Sequence, residues 1–145
     1  MKRNLIAVLS LVVMSLLLNA TGAFAQTYVK ANVPFDFKVG SAQLPAGTYE
    51  IQADDTIPGT VMIRNHQTSA AAMSIAQREY PRGDTTAKLV FHKVGNQYFL
   101  AEIWKGSDAE EMVIPTSRQE KELEKELQAS NTHSGGYEEI VVALN

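Results

Sequence analysis

The strongest constraint on the fold of this chain is an alternation of apolar and polar side chains between Val29 and Ala53. The alternation pauses in a turn segment from Gly40 to Gly47 and then resumes. A period of two residues is that of a β-strand with one buried face. We therefore predict two strands that share one core face, with Pro34 placing the first at a sheet edge or delaying its pairing. The inward positions are Val29, Ala31, Val33, Phe35, Phe37, Val39, Tyr49, Ile51 and Ala53.

The N-terminus carries the pattern of a secretory signal peptide. Lys2 and Arg3 precede an apolar run from Leu5 to Leu18, and Ala23-Phe24-Ala25 offers small residues at the two positions that a signal peptidase reads. We predict that residues 1–25 are cleaved, so that the mature protein begins at Gln26 and is periplasmic or secreted. A membrane anchor is the alternative, but the apolar run is shorter than the roughly 20 residues of a spanning helix.

Composition excludes several classes of protein. The chain contains no cysteine, so disulfides, thiol chemistry and a lipid-modified cysteine are all ruled out. Without Lys2 and Arg3 it has 11 basic and 16 acidic residues, a formal charge of −5. This acidic balance lacks the excess of positive charge that nucleic-acid-binding domains carry. We expect a single β-rich domain over residues 26–145. No transmembrane span is expected after signal cleavage.

Glycine and proline residues divide the rest of the chain at intervals that suit short strands. We predict a mainly β fold, an antiparallel β-sandwich or small barrel. An alanine-rich segment at residues 69–77 is ambiguous, because alanine favours helix whereas the short length and the preceding turn favour strand. Strand is the preferred interpretation there. Residues 80–84 are expected to form a loop.

A second firm element runs from Lys88 to Trp104. Two β-rich runs meet at Gly95-Asn96, which suits a tight hairpin turn. A two-residue turn would pair His92 with Phe99, Phe91 with Leu100, and Val90 with Ala101. Both faces of that hairpin are apolar, which predicts a central hairpin covered on both sides.

The C-terminal part changes to charged residues. Ser117 and Glu120 have the spacing of a capping box, which predicts a helix over residues 118–128. Leu123 and Leu127 form its narrow apolar stripe, so we expect a surface helix. Residues 137–144 then form a possible last strand that could return to a sheet edge.

Five short motifs stand out in the strands and turns predicted above. They are Val33-Pro34-Phe35-Asp36-Phe37, Val39-Gly40, Leu44-Pro45-Ala46-Gly47-Thr48-Tyr49, Leu89-Val90-Phe91-His92 and Tyr98-Phe99-Leu100-Ala101-Glu102-Ile103-Trp104. Together they resemble a family of short, uncharacterised secreted bacterial proteins. The resemblance implies export and a compact β domain, and it supplies no functional residue.

No motif in the sequence implies a cofactor or a metal. His66, His92 and His133 have no metal-ligand spacing, and the acidic loop pairs Asp54-Asp55 and Glu110-Glu111 (with Asp108) lack the pattern of a calcium loop. Glu102 is expected to face away from His92 on the predicted register, which separates a carboxylate from the imidazole. Tyr98 and Trp104 are the first candidates for ligand contact, as polar-tipped rings near hairpin ends.

The sequence favours an exported, non-enzymatic β-domain that acts by binding or as a component of the cell envelope or extracellular space. One alternative is a carrier that holds a small apolar ligand in a barrel cavity. A secreted hydrolase is the other, and it requires an acid within hydrogen-bond reach of His92. Protein, glycan and small apolar ligand are the partner classes left open.

Overall fold

The structure is a computed structural model that describes residues 28–54, 56–79, 86–106, 111–130 and 136–144. The predicted signal peptide and the loop at residues 80–84 lie outside these residues. So do Asp55, Asp108, Glu110 and His133.

The described residues form eleven strands and one helix. In chain order the strands are β1 (Tyr28–Val33), β2 (Phe37–Val39), β3 (Ala42–Leu44), β4 (Gly47–Ala53), β5 (Thr60–Arg64), β6 (Ala71–Ile75), β7 (Gln77–Glu79), β8 (Lys88–Val94), β9 (Gln97–Trp104), β10 (Glu111–Val113) and β11 (Glu138–Ala143). The helix, α1 (Arg118–Ala129), lies between β10 and β11. Within the described ranges, no helix is long and apolar enough to cross a membrane.

The strands build two sheets that face each other as a β-sandwich, which confirms the predicted fold class. The four-stranded sheet has the order β1-β4-β5-β6 and is antiparallel throughout. The seven-stranded sheet has the order β11-β8-β9-β10-β7, and β2 joins it by a short parallel contact with β9 and an antiparallel pairing with β3.

The chain changes sheets at three points within the described residues, one of which is the passage from β3 to β4 between Leu44 and Gly47. At Pro34, which has no amide proton to donate, β1 of the four-stranded sheet ends and the chain crosses to β2. The predicted first strand is therefore two short strands in different sheets, and β1 lies at a sheet edge, as the proline indicated. At Ala76 the chain crosses again, from β6 to β7.

The inward set predicted from the alternation forms the centre of the core. Ala31, Val33, Phe37, Tyr49 and Ile51 are at most 1% exposed. Val29, Phe35 and Ala53 are half-buried and pack against that core. The alanine-rich segment is a strand, β6, which confirms the preferred interpretation. The turn segment between Gly40 and Gly47 contains one strand that the alternation did not predict, β3.

The hairpin of β8 and β9 follows the predicted pairing only near its turn. His92 pairs with Phe99 and Phe91 with Leu100, but Val90 pairs with Glu102, so the predicted pair of Val90 and Ala101 is wrong. Ala101 is an extra residue on β9, a β-bulge, and every side chain beyond it moves to the opposite face from that predicted.

The helix begins as its capping box predicts. The Glu120 amide donates to Ser117 Oγ at 3.1 Å, and the Ser117 amide donates to Glu120 Oε2. The helix packs against β8 on the outer face of the seven-stranded sheet, and Leu127 lies over the hairpin turn at Gly95. The last strand, β11, pairs with β8 at the edge of the seven-stranded sheet, as predicted, and it turns Ile140 and Val142 toward the core.

Candidate functional site

Tyr98 lies on the core-facing side of β9, near the hairpin turn. Its ring is stacked on that of Phe35 with a centroid separation of 4.0 Å and an interplanar angle of 17°. The edge of Phe35 in turn meets Phe91 at 5.2 Å. Tyr98 is therefore the half-buried outer end of a chain of aromatic rings.

That chain of rings continues through the interior of the sandwich. Phe91 contacts Phe37 edge-to-face at 5.3 Å, and Phe37 contacts Tyr49 in the same way at 5.1 Å. The Tyr49 hydroxyl donates to the Pro45 carbonyl at 2.6 Å, and burial raises the pKa of this phenol. Edge-to-face contacts of this kind add to the stabilisation that ring burial provides.

Trp104 lies on the other face of the same sheet, because the bulge at Ala101 reverses the facing of the residues after it. Its indole Nε1 donates to Glu102 Oε2 at 2.8 Å. Lys88 Nζ stands 4.6 Å from the ring centroid, in a cation–π contact. Tyr98 and Trp104, the two candidates for ligand contact, therefore lie on opposite faces of the sheet and do not converge on one site.

Carboxylates surround Trp104 on this outer face. Glu111 of β10 pairs with Trp104 on one side and with Glu79 of β7 on the other. Burial raises the pKa of Glu111, and the charges of Glu102 and Glu79 raise it further. Among the residues that the structure describes, no group of three or more histidines and carboxylates is arranged to hold a metal ion.

His92 makes the most buried ionisable contact in the described structure. Its Nδ1 lies 2.8 Å from Glu120 Oε1, and the two side chains are only 14% and 4% exposed. A carboxylate only accepts hydrogen bonds, so the proton of this contact belongs to Nδ1 of the imidazole. The ring of Tyr137 is stacked on the imidazole at 3.6 Å.

Sequence reasoning missed Glu120 as the partner of His92. The Glu102 side chain, which the sequence placed on the far face, shares the face of His92 because of the bulge, but it bonds to Trp104 instead. The one available signal was the capping box itself, since a capping glutamate has its carboxylate held at the start of a helix. The capping box does not predict which strand, or which residue on it, the glutamate contacts.

The other predicted polar positions lie apart from His92. His66 Nε2 contacts Glu50 Oε2 at 2.6 Å on the outer face of the four-stranded sheet, where Lys30 holds the pKa of the Glu50 carboxyl below its usual value. Asp54 accepts the amides of Thr56 and Ile57, so it closes a turn.

No model of a known protein family matches this chain, and no curated protein or solved structure is significantly similar to it. The resemblance to short secreted proteins therefore stays a prediction from the motifs.

Proposed function

We propose that this chain is an exported, non-enzymatic β-sandwich that acts by binding or as a structural component of the cell envelope or extracellular space. The observation that supports it is that the most buried histidine–carboxylate pair in the described structure, His92 and Glu120, holds two elements of the fold together. His92 and Glu120 join the first turn of α1 to β8, and Glu120 at the same time caps its own helix. The pair fastens the helix to the sheet, which is a structural task.

The contents of the interior favour this function over a carrier of apolar ligands. A carrier needs a cavity of several hundred Å³ between its strands. Here the space between the sheets holds Phe37, Phe91 and Tyr49, each at most 1% exposed and each in edge-to-face contact with a neighbouring ring. Rings packed against one another in this way are typical of a filled core.

A secreted hydrolase is the second candidate, because one condition for it is met. An acid, Glu120, does lie within hydrogen-bond reach of His92 and could orient the imidazole as a general base. The face of the ring is covered by Tyr137, and in the described part of the chain no hydroxyl is hydrogen-bonded to the imidazole. The nucleophile–base contact of a serine hydrolase is thus not present among these residues.

Export is tested by producing the full chain in a Gram-negative bacterium and measuring the intact mass of the protein in the cytoplasmic, membrane, periplasmic and medium fractions. We expect a species that begins at Gln26 in the periplasm or medium. An uncleaved chain in the cytoplasm or the inner membrane would overturn the exported part of the proposal. A variant with Ala25→Arg, which places a large charged residue at the cleavage site, is the matched control and should stay uncleaved.

The absence of catalysis is tested with purified protein and chromogenic ester, phosphate-ester and glycoside substrates. We expect no turnover that depends on His92. Turnover that His92→Ala abolishes and Glu122→Ala preserves would establish the hydrolase. Thermal shift against glycans, lipids and divalent metals then tests binding, since a ligand at one hundred times its dissociation constant stabilises the native state by about 2.7 kcal/mol.

A further inference from the structure

Strand β6 forms one edge of the four-stranded sheet. Among the residues that the structure describes, it pairs with β5 alone, and although β2 and β3 approach it, neither pairs with it. Its outward side chains include Met73 and Ile75, which are 53% and 71% exposed and are among the most exposed large apolar side chains described. An apolar edge strand of this kind is a template for pairing with another strand.

The hydrogen-bond pattern shows which backbone groups of β6 face outward. The Asn65 amide donates to the Ala70 carbonyl, and the Ala76 amide donates to the Gly59 carbonyl. Antiparallel partners alternate between bonded and non-bonded pairs, so even-numbered residues of β6 bond to β5. The amides and carbonyls of Ala71, Met73 and Ile75 therefore point to the free edge.

Charge and length together distinguish β6 from the other edge strands, because the edge strand β3 is also uncharged but has only three residues. From Ala70 to Ala76 the chain carries no charged residue and no proline. By contrast, β1 contains Lys30 and meets Leu144 of the other sheet by a β-bridge. Strand β11 contains Glu138 and Glu139, and β7 contains Arg78 and Glu79. Charged residues on an edge strand oppose pairing with another chain, and β6 lacks them.

We propose that two copies of this chain pair through β6, antiparallel and about a two-fold axis at Met73, so that their four-stranded sheets join into one. In that register Met73 pairs with Met73 of the second copy, and Ala71 pairs with Ile75 in both directions. All three outward-facing residues of each copy then form bonded pairs, which gives six backbone hydrogen bonds from three reciprocal pairs. The same patch serves both copies, as a two-fold interface requires.

The register argues for a second copy as the occupant. Moving the axis to Ile75 would pair Ala71 with Glu79 and bring charged residues into the ladder. Moving it to Ala71 would pair Ile75 with Gln67, which lies in the turn before the strand. Only the axis at Met73 pairs every outward-facing residue of β6 with another residue of β6, and it keeps the ladder uncharged. Side by side, Met62 and Met73 of both copies would form a continuous apolar row.

The first test compares two lysine substitutions by sedimentation equilibrium of the mature protein. Met73→Lys places like charges opposite each other at the axis, and Thr48→Lys places the same charge on the exposed face of a central strand, β4. We expect the wild type and Thr48→Lys to be dimers. For Met73→Lys, the dissociation constant of the dimer should rise about tenfold or more, a change of about 1.4 kcal/mol per factor of ten. A monomeric wild type, or equal dissociation constants for the two variants, would overturn the proposal.

The second test does not depend on destabilising the edge. The chain has no cysteine, so a single Met73→Cys variant can form only one intermolecular disulfide. Bonded antiparallel pairs have Cα atoms about 5.5 Å apart, within the range that a disulfide spans. Mild oxidation should give a covalent dimer from Met73→Cys and almost none from Thr48→Cys. Equal yields from the two variants would contradict pairing at this axis.

Discussion

Glu120 uses both of its carboxylate oxygens to hold α1 in place, with Oε1 2.8 Å from His92 Nδ1 and Oε2 accepting the amide of Ser117. One side chain thus takes part in the N-terminal cap of the helix and also attaches the helix to the sheet. The two residues in contact are 28 positions apart in the sequence, and both side chains are almost fully buried.

Glu120→Ala should be one of the more damaging substitutions on the helix. It removes the capping partner and leaves His92 without its acceptor in a nearly buried position, for which we expect a loss of about 1–3 kcal/mol in the free energy of unfolding. Glu122→Ala, which breaks an exposed pair with Arg118, should cost no more than about 0.5 kcal/mol. Urea denaturation of both variants measures the difference. Equal midpoints would mean that the contact with His92 contributes little.

The parts of the fold that sequence could predict are those fixed by local periodicity. Tyr49 and Ile51 are buried because alternate residues of a strand share a face, and that pattern is readable without knowing the partner strand. Four strands have only three residues, and of these β2 continues the predicted alternation whereas β3, β7 and β10 do not. Three residues are too few to display a period, so these strands are defined by the neighbours with which they pair.

The site was less predictable for two physical reasons. The bulge at Ala101 is a choice of register within a continuous ladder, and counting outward from the turn at Gly95 assumes that no residue is skipped. The contact between His92 and Glu120 joins a strand to a helix that lies 28 residues further along the chain. Neither effect is encoded in the spacing of neighbouring residues.

Glu111→Gln should stabilise the protein at neutral pH. Burial and the neighbouring carboxylates raise the pKa of Glu111 in the folded state above the usual value of 4.5, so ionisation of this group opposes folding. The unfavourable effect of Glu111 on the free energy of unfolding therefore diminishes as the pH falls through its folded-state pKa. The difference between variant and wild type should be largest above that pKa and should disappear below about pH 4.5. Urea midpoints between pH 4 and pH 8 measure it.

The matched control is Glu122→Gln on the exposed face of α1, where the carboxylate contacts Arg118, so this substitution should not stabilise the protein at neutral pH. A variant at position 111 that is less stable than the wild type at neutral pH would contradict the assignment. It would mean that the charged carboxylate makes a stabilising contact that outweighs the repulsion from Glu102 and Glu79.

Gly47→Ala should destabilise the protein through a single steric conflict. A Cβ atom at position 47 would lie 2.6 Å from Nδ2 of Asn65, a side chain that is 1% exposed. Asn65 cannot move freely, because its Oδ1 accepts the amides of Gln67 and Thr68. We expect a loss of about 1–3 kcal/mol, in the range of overpacked sites. Gly136→Ala, where the new Cβ meets only an ordinary contact at 3.9 Å, should change stability by less than about 0.5 kcal/mol.

Trp104 and Tyr98, the two rings first considered for ligand contact, should differ in the stability that is lost when each is changed to phenylalanine. Trp104→Phe removes the indole donor to the Glu102 carboxylate and should cost about 1–2 kcal/mol. Tyr98→Phe keeps the stack on Phe35 and should cost less than about 0.5 kcal/mol. Because the rings lie on opposite faces of β9, the double variant should equal the sum of the two single variants within about 0.5 kcal/mol. Coupling beyond that value in urea denaturation would show that both rings belong to one site after all.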